Sequence, residues 1–286
     1  MKGSDEHRTH GAAAGRPARV FDCHAHAFPD KVAATAIPRL VDEALWFPIE
    51  AMHDGTLSGL VASMDRAGID RAILCSVATR PPQTPKITEW SAAIASDRIV
   101  PFASIHPDCD DVEAEVCRVA EAGLRGLKFH PQYMDCAADD PLTVRLARAA
   151  AAAGLAMVFH AGYDLAFEKD DRAGPREIRR LHEAVPGLRL MACHLGGWER
   201  WPEALDQVVG LPVYLETSMS LDRCPPALVE RILERHDPAR LLFGTDSPWD
   251  DQAKALREFL ALDIGDDLKR RMLWENALAF LGEAAA

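Results

Sequence analysis

An alternation beginning near residue 18 constrains this chain more than any other feature. Short apolar or β-branched runs of strand length are separated by longer amphipathic or Ala-rich stretches. The strand-like runs are 18–26 (ARVFDCHAH), 71–78 (RAILCSVA), 99–107 (IVPFASIHP) and 124–131 (LRGLKFHP). Four more follow at 155–161 (LAMVFHA), 188–195 (LRLMACHL), 212–219 (PVYLETSM) and 241–248 (LLFGTDSP). Helical stretches lie between them, such as 111–122, 141–153 and 226–236, and Gly123, Gly154 and Gly187 stand where helices end before the next strand.

Eight strands with intervening helices predict an α/β fold, a (β/α)8 TIM-type barrel, with its site at the C-terminal ends of the strands. The alternative is an open doubly wound sheet, which normally carries a glycine-rich phosphate loop after its first strand. Here that position reads His26-Ala27-Phe28-Pro29, and neither GxGxxG nor GxxxxGK[ST] occurs. The segment 27–60 is long for a β/α connection, and its Leu45-Trp46-Phe47-Pro48 cluster is read equally as a cap on the barrel mouth or as helix packing.

The histidines sharpen this. Of 11, six fall at or near strand ends: His24, His26, His106, His130, His160 and His194. Asp246 takes the equivalent place on the last strand, and Glu216 lies toward the end of the seventh. A barrel gathers these ends at one mouth. In the first strand, VFDCHAHAF, period-two alternation predicts that Asp22, His24 and His26 share one face. Burying three such groups is costly unless each finds a partner, and a metal ion would serve both imidazoles. The same parity predicts that Cys23 and Cys193 turn away from the mouth, which argues against a cysteine nucleophile.

Composition excludes other classes. The chain has 286 residues, 48% hydrophobic and 27% charged, which suits a globular protein with a sizeable core. Its net charge of −12, with no basic run, argues against nucleic acid as a partner. No run reaches transmembrane length, so no membrane partner is expected. Seven scattered cysteines without a CxxC pair suit reduced thiols and a cytoplasmic location. Residues 1–17 are expected to form a disordered tail, with His7 and His10 solvated, and 18–286 a single barrel domain.

The ordered set of HxH at 24–26, His160 in VFHAG, His194 in ACHLGG and Asp246 in FGTDSPW resembles the amidohydrolase superfamily. With GLKFHPQ at 126–132 and Glu275-Asn276-Ala277, the chain resembles its amidohydrolase-related branch, which contains metal-dependent hydrolases and aminocarboxymuconate-semialdehyde-decarboxylase-like enzymes. The resemblance covers nearly everything after residue 18.

It implies that His24, His26, His160 and Asp246 bind one divalent metal, Zn2+ by preference, with Mn2+ or Fe2+ as alternatives. Asp246 would also accept a proton from water, and His194 would orient or protonate a substrate oxygen. Two-metal members carboxylate a lysine on strand four to bridge the ions. Lys128 stands at that position, so a two-metal site with carboxylated Lys128 is the alternative; His130 shares its parity as a bridging or substrate-binding candidate. Asp22 is read as a partner fixing an imidazole tautomer or as a structural residue. His106 is read as a pocket or structural residue, and His53, His182 and His236 as surface or packing residues. Tyr163, Trp198 and Trp249 are candidates for an aromatic wall, and Arg80, Arg172 and Arg223 for binding an anionic substrate.

The expected function is a metal-dependent hydrolase that uses metal-activated water on an amide, lactone or ester of a small molecule. The alternatives are a metal-dependent non-oxidative decarboxylase of an aromatic or unsaturated carboxylic acid, and a non-catalytic small-molecule-binding barrel. No organic cofactor is expected, and a homo-oligomer is compatible with the sequence.

Overall fold

A computed structural model describes residues 19–284; the expected tail, with His7 and His10, lies outside the described residues. The strands are β1 (Phe21–Ala25), β2 (Arg71–Cys75), β3 (Ile99–Phe102), β4 (Gly126–Phe129), β5 (Ala156–Phe159), β6 (Leu190–Ala192), β7 (Tyr214–Glu216) and β8 (Leu241–Leu242). Two helices, α1 (Asp30–Asp42) and α2 (Leu57–Ala67), follow β1. Then α3 (Thr84–Ile94), α4 (Val112–Glu121), α5 (Pro141–Ala152), α6 (Pro175–Ala184), α7 (Trp201–Gln207) and α8 (Pro226–Arg235) each follow one further strand. After β8 come α9 (Gln252–Ala261), α10 (Asp266–Arg270) and α11 (Asn276–Leu281).

All strand pairs are parallel, in the orders β1-β2-β3 and β4-β5-β6-β7-β8. Main-chain hydrogen bonds join these two runs at both seams. Ala103 bridges Leu127 between β3 and β4, while Cys23 N donates to Phe243 O and Asp246 N to His24 O between β1 and β8. The α/β barrel expected from the alternation is therefore the observed arrangement.

Each strand is buried on both faces, which explains the continuous apolar runs in the sequence. One core lies between strands and helices and includes Ala25, Leu74, Leu127, Phe129, Phe159 and Leu215. The other fills the barrel with Phe21, Cys23, Ile73, Phe102, Val158, Met191, Cys193 and Leu242. Phe280 of α11 closes its lower end, stacked on Phe102 at 6.0 Å and edge-on to Tyr214 at 4.9 Å between ring centroids. Gly123 and Gly154 adopt the left-handed terminator conformation, with φ of 75° and 72°.

The alternation inside β1 is broken. Asp22 pairs with Ala72 but Ala25 with Leu74, so β1 holds one extra residue in that interval. This is a β-bulge, and it reverses the face of what precedes it. Cys23 consequently points into the barrel, and Asp22 points outward to Gln252 of α9. The expectation that Asp22 shares a face with His24 and His26 is thus corrected. So is the expectation for the cysteines: Cys23 and Cys193 both belong to the barrel interior.

Candidate metal centre

His24 and His26 leave β1 at its C-terminal end and converge with Asp246, which follows β8. Asp246 Oδ1 lies 3.0 Å from His26 Nε2 and 3.3 Å from His24 Nε2, and the two Nε2 atoms are 3.1 Å apart. The other nitrogen of each ring fixes where its proton sits. His26 Nδ1 is 2.8 Å from the Cys75 carbonyl, which can only accept, so Nδ1 carries the hydrogen. His24 Nδ1 faces Glu216 Oε1 at 3.1 Å and Ser218 Oγ at 3.2 Å, with the same consequence. In the neutral rings, both Nε2 lone pairs then point at one another and at a carboxylate oxygen. Asp246 Oδ1 is buried without a hydrogen-bond partner. Three electron-pair donors meet here, with Lys128 Nζ 2.9 Å from His24 Nε2, and make a candidate cation site; two imidazoles with one carboxylate suit Zn2+, Mn2+ or Fe2+.

A second pair repeats the pattern. His194 Nδ1 is 3.1 Å from Ser218 O and 2.9 Å from Ser218 Oγ, and His160 Nε2 is 3.2 Å from Tyr163 O. Each ring's remaining nitrogen faces the other's, His194 Nε2 to His160 Nδ1, at 3.2 Å. His160 is therefore set apart from the His24–His26–Asp246 group and borders it through His194, whose ring centroid is 5.4 Å from that of His24. His194 and Asp246 both adopt left-handed backbone conformations, with φ of 59° and 63°, a strained geometry for non-glycine residues that recurs at functional sites.

Burial holds the His24, His130 and His160 rings well below the usual imidazole range. For Asp246, burial works upward, but the neighbouring His24 and His26 outweigh it and hold the carboxyl below the usual carboxylate range. Lys128 is buried, with Nζ 2.9 Å from His24 Nε2 and 3.4 Å from Cys193 Sγ. Burial opposes its charge; Cys193, Cys75, Asp246 and Glu216 favour it, and the net direction is upward. Burial also pushes Cys75 up to about 12 and Cys193 well above the ordinary thiol range, so both thiols stay protonated.

Around this centre, His130 stacks on His160 with centroids 4.2 Å apart, and its Nε2 lies 3.2 Å from Asp164 Oδ2. Asp22 ties β1 to β8 and α9: it accepts from Thr245 N at 3.0 Å, Thr245 Oγ1 at 2.6 Å, Gln252 Nε2 at 2.8 Å and His24 N at 3.1 Å. Burial raises its carboxyl to about 7 against those hydrogen bonds. Asp22 thus braces both metal-side segments through the backbone and does not orient an imidazole.

The β1–α2 connection leans on the rim. Trp46 packs on Trp198 at 5.3 Å, donates Nε1–H to Phe167 O at 2.9 Å, and carries Lys169 Nζ 4.4 Å above its ring. Tyr163 joins the same aromatic group, 6.5 Å from Trp46; Trp198 belongs to the helix-side core, and Trp46 and Trp249 both pack against it. Arg172 is paired with Asp135 at 2.9 Å, and Arg223 lies 4.3 Å over Phe47. His106 Nδ1 accepts from Asp108 N, a local loop contact. His236 bonds Gly210 N and Val213 O, a packing role. His53, by contrast, reaches Ser247 Oγ at 3.1 Å, beside Asp246. Asp164, Ser218, Thr245 and Gln252 carry no sequence signal of their own; only the fold brings them here.

The site defines a class: an α/β barrel with a candidate nitrogen- and oxygen-donor cation site at the C-terminal strand ends. The family model described as Amidohydrolase matches residues 21–282, and the chain belongs to that family. Similar solved structures include 5-carboxyvanillate decarboxylase from Sphingomonas paucimobilis, 16% identical, covering 93% of this chain and 99% of that one, with a TM-score of 0.73. The 5-carboxyvanillate decarboxylase of Novosphingobium aromaticivorans, with bound manganese and 3-methoxy-4-hydroxy-5-nitrobenzoic acid, is 15% identical over 92% of this chain and 97% of that one, at 0.70. A putative 2-pyrone-4,6-dicarboxylic acid hydrolase from Pseudomonas putida is 16% identical over 94% and 99%, at 0.65. No curated protein matches the chain. All seven cysteines are unpaired, and among the described residues no helix is long and apolar enough to cross a membrane.

Proposed function

We propose that this chain is a metal-dependent hydrolase acting on an amide, lactone or ester of a small molecule. The observation that carries the reading is the meeting of the His24 and His26 Nε2 lone pairs with the unpartnered Asp246 Oδ1. His24, His26 and Asp246 meet directly, and together with His160, which borders them through His194, they would hold one divalent ion, which when bound supplies Lewis acidity and lowers the pKa of water. Asp246, held ionised, would take a proton from the attacking water. His194 keeps its proton on Nδ1 and turns Nε2 toward the centre, where it would orient or protonate the substrate oxygen. Lys128 acts as a buried cation beside this group. The working protein is one barrel domain over residues 18–286, with a small molecule as partner, and its unpaired thiols support a cytoplasmic setting.

The aromatic rim of Trp46, Tyr163 and Trp198, with Lys169 above it, favours a second reading: decarboxylation of an aromatic or unsaturated acid. Relatives sharing the fold carry names of both kinds. The reactions separate in labelled water. Lactones, esters and amides turned over with label entering the product support the hydrolase. Stoichiometric CO2 release from carboxylic acids, without label entering the product, would establish the decarboxylase instead.

A further inference from the structure

Glu216, the last residue of β7, is fully buried, and its carboxylate is met by hydrogen-bond donors. Oε1 lies 3.1 Å from His24 Nδ1, 2.9 Å from the main-chain N of His194 and 2.7 Å from Ser218 Oγ, and Oε2 accepts from Ser218 N at 2.5 Å. The serine hydroxyl has one proton, and the carboxylate takes it. Its oxygen can then only accept, which it does from His194 Nδ1 at 2.9 Å and His24 Nδ1 at 3.2 Å. The polarity of the whole network is fixed from one end.

Room for this carboxylate depends on Gly244. A Cβ there would stand 2.3 Å from Glu216 Oε2 and 3.2 Å from His24 Cβ. The φ of Gly244 is not in the left-handed region, so space and not backbone strain reserves the position for glycine.

Resting on the metal reading above, we propose that Glu216, seated against Gly244, is a positioning residue for two histidines at once. It holds the proton of His24 on Nδ1, freeing Nε2 for the metal. It also pins the strained backbone of His194 and, through Ser218, supports that ring's matching tautomer. One carboxylate thereby couples the metal-binding side of the mouth to the proton-transfer side.

The test uses the full chain and three variants: Glu216→Gln, Gly244→Ala and Ser218→Ala. Affinity for Zn2+ and Mn2+ is measured by calorimetry, and imidazole tautomers in metal-free protein by 15N NMR. In the wild type both His24 and His194 should appear as Nδ1–H. Glu216→Gln and Gly244→Ala should weaken metal binding on the order of 10–100-fold, the usual effect of losing a ligand's hydrogen-bond partner. Both should shift the His24 signal toward mixed tautomers while circular dichroism stays that of the wild type. Ser218→Ala, which spares the Glu216–His24 contact, should move the His194 signal and keep metal affinity close to wild type. Wild-type affinity and unchanged His24 tautomer in both Glu216→Gln and Gly244→Ala would overturn the proposal. If Glu216→Gln does not fold, Gly244→Ala decides, since it removes no polar group and only crowds the Glu216 carboxylate. A wild type that bound neither ion would overturn the metal reading, while the spectra would still decide on Glu216.

Discussion

His194 Nε2 and His160 Nδ1 stand 3.2 Å apart, each with its other ring nitrogen committed as a donor to a main-chain carbonyl. Two lone pairs at that distance repel, burial disfavours the proton on His160, and taking His160 Nδ1 as a ligand of the bound ion would relieve the conflict while leaving His194 out of the ligand set. The same conflict holds between His24 and His26. Divalent metal should therefore stabilise the fold. At a free concentration of 100 times Kd, binding adds about 2.7 kcal/mol. The melting temperature should rise with added Zn2+ or Mn2+ and fall again with a chelator; no response to either would contradict the site.

Lys128 is expected to work as a free ammonium. Its Nζ lies 2.9 Å from His24 Nε2 and 3.4 Å from Cys193 Sγ, contacts that an uncarboxylated ammonium can donate to. Bicarbonate should leave activity and metal content unchanged in the wild type. A bicarbonate-driven rise to two ions per chain that disappears in Lys128→Ala would instead establish a carboxylated, bridging lysine.

Replacing His194 separates proton transfer from metal binding. His194→Asn should keep much of the metal and lose turnover by roughly 10²–10⁴-fold, the range of acid–base catalysis. Metal content and kcat measured on one preparation check this, and a variant at wild-type rate would remove His194 from the mechanism.

Asp22 makes a prediction about stability. All four of its partners donate, so Asp22→Asn turns an amide NH2 against Thr245 or Gln252. A buried donor left unpaired costs about 1–3 kcal/mol. Denaturant unfolding should show that loss, and an unchanged midpoint would mean that Asp22 does not brace the β1–β8 seam.

The barrel was legible because each strand is buried on both faces and helix ends such as Gly123 and Gly154 carry their own signal. The rim histidines were legible because parallel strands bring their ends together. What sequence parity missed has local causes. The bulge in β1 adds one residue and sends Asp22 to α9. The left-handed turn at His194 lets Cys193 and the residue after it both face inward. The link from Glu216 to His24 spans 192 positions, and no period in the chain encodes it.

Metal content after purification, measured by elemental analysis on the wild type and His24→Ala, decides whether the His24–His26–Asp246 group is a metal centre. The wild type should carry close to one equivalent of zinc, manganese or iron, and His24→Ala should lose most of it. Undiminished metal in His24→Ala would contradict the assignment.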